Sequence, residues 1–528
     1  MTHARRLAVF VAGLALAAPF ARAQDLGDDA ELVETRVEIP KLKAAETYVP
    51  KDGVVEMELS EYAGYAGLVV ANGGLEPNAD SIFAKKHGFK LKITLSEEES
   101  WSALNAGRIG VSATTVDVLA AYGRQMKVAV PAQIGFSRGA DGVVVRKSIR
   151  RVNDLRGKVL ATAQFTEADF FIRYLAQEAG LEVKMLASLK DAVDPNRLNL
   201  VYCADAHGAG DLFLRDVKAK RNRIHGCVTW APKTTEVVDE SGGEATLLVT
   251  NRNLLIVADV LVVNKGFADG SPALVAGLVE GLYEGNRLVR DDPGAHLGVV
   301  AKAFGWTPDQ AKAELAKIHF SNVPEALGFF QGSLTAAGSY GAIWSAATFA
   351  YGEELIGKSA APERFLDLKA LESLAKKPPF SEQKPVITPI GKQMAEVEGT
   401  PLLSKDVRFF FLPNSAELDM KSEANLKNLE HIRGLLTQSP GSVLNLVGHV
   451  DDARREEFSR QGAKVLREMT AAADELSRKR ANAVAEALKS RYSVEGVRVA
   501  VEGRGWREPA SKVSDENRRV EVQWFTVE

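Results

Sequence analysis

A chain of 528 residues is too long for a single hydrophobic core, so two or three domains are expected. Its 46% hydrophobic and 26% charged content is that of ordinary globular protein. A net charge of -3 excludes a general nucleic-acid binder, which carries a basic excess.

Arg5 and Arg6 precede the apolar run Leu7 to Phe20, and Ala21-Arg22-Ala23 supplies a small-x-small cleavage pattern. Residues 1–23 therefore read as a secretory signal peptide, and no cysteine stands at the cleavage point to take a lipid. No later run is apolar and long enough to span a bilayer, so the mature chain is expected to be soluble in an exported compartment. A polar stretch to about residue 50 reads as poorly ordered.

From residue 53 strand and helix patterns alternate. "VVEMELS" is strand-like, "SIFAKKHGF" has a helical face, "KLKITL" is a strand again, and "SWSALNAG" is a short helix ending on Gly107. The alternation continues through "DGVVVRK", "GKVLATA", "TEADFFIRYLAQEAG", "LNLVYCAD" and "GCVTWAP". This predicts an α/β fold with mostly parallel sheets, and helical patterns dominate from about 268 to 375. Cys203 and Cys227 both sit in apolar, strand-like runs and read as inert buried thiols, with disulfide pairing left open.

Residues 376–405 hold Pro378, Pro379, Pro385, Pro389 and Pro401, a density that reads as a linker. Beyond it, "DVRFFFL", "SVLNLVGHV", "VRVAVEG" and "RRVEVQWF" are strands. "KSEANLKNLEHIRGLLTQ" and a long run from about 453 to 491 are helices. Residues 406–528 are thus a smaller α+β domain.

Five blocks in this last region carry a resemblance: "FFFLPNSAEL", Gly448-His449-Val450-Asp451, "LSRKRANAV", "GRGWREP" and Asn517-Arg518-Arg519-Val520-Glu521. In that order they resemble the OmpA-like peptidoglycan-binding domain. The resemblance implies that Asp451 and Arg480 hold the diaminopimelate of a stem peptide. The free end of that residue is a zwitterion, which needs one fixed anion and one fixed cation. Asn517 is expected to fix a turn, with one of Arg518 and Arg519 facing the pocket, and Arg518 is taken as the ligand. Asp451 and Arg480 stand 29 positions apart, more than is usual for the family. The extra text "ARREEFSRQGAKVLREM" reads as helical, with Phe458, Val465, Leu466 and Met469 on one side. It is expected either to extend the helix or to cover the pocket.

Residues 50–375 are read as one two-lobed domain, and about 53–350 of it resemble the periplasmic solute-binding proteins of the nitrate, sulfonate, taurine and thiamine-precursor type. The signatures are "FAKKHGFKLKITL", "LNAGRIGVSATTVDVL", "FSRGADGVVVRKS", "VNDLRGKVLATA", "VTWAP" and "ADVLVVNKGFADGSPALV". The resemblance implies a cleft that closes on a small organic ligand, and an ABC permease as partner. Ligands in such folds lie outside the carboxyl ends of strands. That rule selects Glu61, Tyr62, Tyr65, Thr114, Thr115, Gln164, Phe165, Thr166, Asp205 and Trp230 as cleft residues. "RKSIRRVNDL" and "LIVADVLVV" are taken as the two lobe crossings. Thr166 would cap a helix whose N-terminus could hold an anion. Glu167 and Asp169 in its first turn oppose that, and so favour a neutral or cationic ligand.

Gly135-Phe136-Ser137-Arg138-Gly139 matches a nucleophile elbow, but a strand pattern follows it where a helix is required. The eight histidines form no zinc-spaced cluster, and no cofactor or metal is expected. The sequence therefore predicts a non-enzymatic receptor, exported to the periplasm and tied to the cell wall. The alternative is an envelope structural or sensory protein whose lobes do not serve transport.

Overall fold

The computed structural model describes residues 32–96, 101–334, 338–388, 401–412, 415–439, 441–494 and 498–525. The signal-peptide reading, and residues 389–400 of the proline-rich stretch, lie outside these. Among the described residues no helix is long and apolar enough to cross a membrane.

Two lobes form the larger part. Strand Val54–Leu59 buries alternate residues Val55, Met57 and Leu59, the period-two pattern of a half-covered sheet. It pairs in parallel with Lys90–Leu95 and with Val111–Thr115. Strand Ala258–Asn264 follows antiparallel, then Val128–Ser137 and Ile318–Phe320, to complete a six-stranded sheet. The second lobe orders Ala245–Thr250, Asp141–Arg146, Gly226–Trp230, Val159–Ala163, Leu198–Cys203 and Val183–Met185. Both sheets are mixed. The parallel pairs are those of the strand-helix alternation, and the antiparallel strands flank the two places where the chain changes lobe.

Those places are residues 138–140, between Val128–Ser137 and Asp141–Arg146, and residues 251–257. The expected first crossing at "RKSIRRVNDL" is thus corrected. By Arg146 the chain is already paired within the second sheet, opposite Ala245. The segment expected to be poorly ordered is also corrected from residue 32 onward. It runs extended over both lobes because side-chain amides take up its backbone groups. Gln164 exchanges two hydrogen bonds with Arg36, at 2.9 and 2.7 Å, and Gln125 accepts from the Leu42 N–H at 2.8 Å and donates to the Pro40 carbonyl at 2.9 Å. Asn264 accepts from the Tyr48 N–H at 3.1 Å. Helix Tyr340–Tyr351 packs behind both lobes, on Val116–Tyr122 of one and Glu167–Glu178 of the other.

The C-terminal sheet orders Leu403–Val407, Val520–Phe525, Val443–Gly448 and Val499–Gly503, so its first strand begins inside the proline-rich stretch. Helices Glu423–Gln438 and Ala463–Tyr492 accompany it. The extra text forms the short helix Arg455–Arg460 and lengthens the next to 30 residues. Phe458, Leu466 and Met469 from it pack around Val450, Ala473 and Trp506, with Phe458 stacked on Trp506 at 6.0 Å.

This sheet does not hang free. Asn153 of the second lobe makes both hydrogen bonds of a strand-like pair with Ser404, at 2.8 Å each. Lys405 donates to the Gln177 carbonyl, His431 meets Glu178 at 2.8 Å, and the Tyr174 hydroxyl donates to Gln438 at 2.6 Å. Apolar side chains of the second lobe and of the C-terminal sheet belong to one continuous core.

Candidate functional sites

On the C-terminal part, Asp451 lies just past the end of strand Val443–Gly448, and Arg480 lies midway along the long helix. Two glycines let these elements meet. A Cβ on Gly448 would stand 2.0 Å from the Ser477 carbonyl oxygen, and one on Gly503 2.4 Å from that of Asp474. The close approach brings the Arg480 guanidinium over the Phe411 ring at 5.0 Å, with its Nε free of any hydrogen bond among the described residues. Burial, then the neighbouring Arg518, hold the Arg480 guanidinium below its ordinary value, while Asp451 opposes this. Arg518 reaches Asp451 at 3.5 Å and also pairs with Asp515.

Asn517 fixes the turn as expected by residue type. It is buried, accepts from the Ala510 and Ser511 N–H groups at 2.9 and 3.0 Å, and donates to the Ser511 carbonyl. Arg518 faces Asp451, whereas Arg519 turns to Asp406 at 2.8 Å. His449 is buried beside Glu521 at 3.5 Å, and this contact holds the Glu521 carboxyl down to about 2. His449, Glu508 and Glu521 are close enough to share a cation, but Glu508 is already paired with Arg504 at 2.9 Å.

Between the lobes lies a cavity of about 400 Å³, which opens on a recess of about 20 Å³. Seven of the expected cleft residues line one or both: Tyr62, Tyr65, Thr115, Gln164, Phe165, Thr166 and Trp230. Asp205 also lines the outer cavity while it caps helix Ala206–Lys218 by accepting from the Gly208 N–H at 2.7 Å. The structure does not bring in two of the candidates. Glu61 accepts from the Trp306 indole N–H at 2.6 Å, and Thr114 is buried within its strand. Phe165 holds a positive φ of 63° at the cleft wall, a conformation L-residues rarely adopt.

The two first-turn acids part company. Glu167 lines both spaces. Asp169 is fully buried, accepts from the Phe165 N–H at 3.1 Å, and pairs with Arg173 at 2.7 Å. Among the cleft residues that sequence reasoning missed are two further acids. Asp141 accepts from Ser137 and Asn251, and Asp259 accepts from the Tyr65 hydroxyl at 3.0 Å. Asp117 lies buried behind them. Burial pushes Asp141 up to about 6, Asp117 up to about 7, and Asp259 well above the usual carboxylate range. A charged residue inside an apolar strand, as in "LIVADVLVV", was the available signal.

Ser137 ends one strand and donates to Asp141, and a second strand follows at once, so the elbow geometry is missing. Cys203 and Cys227 are free and buried, and burial pushes the Cys203 thiol up to about 12.

Two mixed sheets joined by two crossings around a cleft make the periplasmic-binding-protein fold, followed here by a smaller α+β domain. Residues 410–523 match the model of the OmpA family, so this part of the chain is an OmpA-family domain. No curated protein matches the chain. Similar solved structures include the alkanesulfonate-binding protein SsuA from Xanthomonas axonopodis pv. citri bound to MOPS. It is 15% identical, covering 60% of this chain and 99% of that one, with a TM-score of 0.46. The aliphatic sulphonate binding protein SsuA from Escherichia coli is 15% identical over 60% and 92%, with a TM-score of 0.43. The desulfurization enzyme DszB is 14% identical over 61% and 98%, with a TM-score of 0.40.

Proposed function

We propose that the chain is an exported receptor for a small organic molecule, held non-covalently to peptidoglycan by its OmpA-family domain and serving an ABC permease. The observation that carries the anchoring is the convergence of Asp451, Arg480 and Arg518. One carboxylate can accept from an ammonium. Arg480 and Arg518, the latter shared with Asp515, offer guanidiniums to the neighbouring carboxylate of the same zwitterion. Charge-assisted hydrogen bonds are each worth roughly 1.5–3 kcal/mol, enough in pairs for weak but specific attachment. Attachment keeps the receptor at high effective concentration near its partners.

Asp451→Ala and Arg480→Ala, each checked for an unchanged melt, are expected to abolish co-sedimentation with purified peptidoglycan. Sedimentation retained by both variants overturns the assignment. A second reading, an envelope structural or sensory protein, is favoured by the segment tied across both lobes, which restrains their closure. A broad metabolite panel that stabilises nothing would select it.

A further inference from the structure

We infer that the inner recess takes the ammonium group of a primary amine, whose body lies in the outer cavity. This rests on the reading of the cleft as a ligand site, and it names the chemistry.

The recess is walled by three aromatic side chains, Tyr62, Tyr65 and Trp230, and three acids, Asp141, Glu167 and Asp259. No lysine or arginine is among its lining residues. Arg36 lines the outer cavity but not the recess, and two other nearby cations are spent elsewhere. Arg173 is consumed by Asp169 and by the Tyr202 hydroxyl, and Lys233 by Asp211 and Glu236. Aromatic faces and carboxylates around one small space attract a cation and repel a sulfonate or nitrate.

An independent sign of a missing partner comes from Trp230. It is 7% exposed and lines both spaces, yet its indole N–H finds no acceptor among the described residues. A buried donor left unpaired costs free energy unless a ligand or water meets it. Size chooses among cations. About 20 Å³ exceeds the roughly 10–15 Å³ that one water requires, so it admits an –NH3⁺ head but not a trimethylammonium. Three N–H donors also match a wall of carboxylates better than a methylated head, which has none.

The charge balance is explicit. Tyr62 and Tyr65, Asp117 from helix Val116–Tyr122, Asp141 and Asp259 from their strands, and Glu167 with Asp169 and Arg173 from helix Glu167–Glu178 all act on this space. With the recess empty, the buried carboxyls hold protons. When R–NH3⁺ enters, a carboxyl O–H bond breaks, the proton leaves to solvent, and the carboxylate accepts from the ammonium. Affinity therefore rises as pH rises through about 6 to 7, where Asp141 and Asp117 titrate.

Calorimetric titration of the full chain with n-propylammonium chloride, 1-propanol and sodium 1-propanesulfonate tests this. The amine alone is expected to bind, about tenfold more tightly near pH 8 than near pH 6, with a heat that varies with buffer ionisation as protons are released. Asp259→Asn is expected to weaken the amine at least about tenfold. Should that variant fold poorly, Glu167→Gln at the recess mouth is expected to weaken it in the same direction. Binding of the sulfonate or the alcohol in place of the amine overturns the inference but leaves the receptor reading standing. Amine affinity unchanged in the folded variants overturns the inference as well. Binding of none of the three, nor of any member of a metabolite panel, removes both.

Discussion

Gly448 shows how one hydrogen atom in place of a methyl group brings Asp451 and Arg480 together. The carbonyl of Ser477 occupies the space a Cβ would need, so the strand that delivers Asp451 and the helix that delivers Arg480 can touch only at glycine. Gly448→Ala is expected to cost about 1–3 kcal/mol by overpacking, and to weaken peptidoglycan binding in whatever fraction remains folded. A denaturant melt and a sedimentation assay read the two effects separately, and an unchanged midpoint would refute the packing argument. The buried acids give a second residue-scale expectation. Asp117 and Asp141 have folded-state pKa values raised above those of the unfolded chain. Their contribution to stability is present below the usual carboxylate range and is lost as pH rises through about 6 and 7. The ligand-free protein should therefore melt at a lower temperature near pH 8 than near pH 5.5. Asp117→Asn with Asp141→Asn should flatten that slope, and a slope untouched by the double variant would show that other groups set it.

Among secondary elements, the sequence was most legible where one residue pattern served one purpose. "KLKITL" alternates because one face of its strand is buried, and the 30-residue helix carries its apolar residues at helical spacing. Asp451, Arg480 and Arg518 were legible because the motif that contains them also fixes their geometry. The acids Asp141 and Asp259 were not, since a strand reads as core whether or not one of its side chains turns into a cleft. Least legible was the extended segment from residue 32 to 48. Its order resides in partners from distant parts of the chain, Asn105, Gln125, Gln164 and Asn264, and composition carries no trace of them. Gln125→Ala with Gln164→Ala should therefore free this segment while leaving the lobes folded. The Arg36 and Leu42 amides, which those two side chains accept, should exchange with deuterium at least about tenfold faster. Unchanged exchange at both would mean that packing of the segment, rather than these amides, holds it.

For the whole molecule, helix Glu167–Glu178 is the element that joins the cleft to the OmpA-family domain. Its first turn presents Glu167 to the cleft. Its last turn presents the Gln177 carbonyl to Lys405 and the Glu178 carboxylate to His431, both in the C-terminal sheet or its helix. Asn153 extends the same seam, and Leu402 accepts from the Val152 N–H at 2.8 Å. A seam of backbone-type hydrogen bonds over a continuous apolar core behaves as a folding unit rather than as a tether between independent beads. The second lobe and the OmpA-family domain are therefore expected to unfold in one calorimetric transition. Removal of three seam contacts together, by Asn153→Ala, Tyr174→Phe and His431→Ala, should split that transition in two and lower the first component. These changes touch neither the cleft nor the Asp451 site, so ligand affinity and peptidoglycan binding, each measured alone, should hold. Two well-separated transitions already present in the unaltered protein would show that the halves are only neighbours. A ligand at one end of the helix would then have no rigid route to the OmpA-family domain at the other.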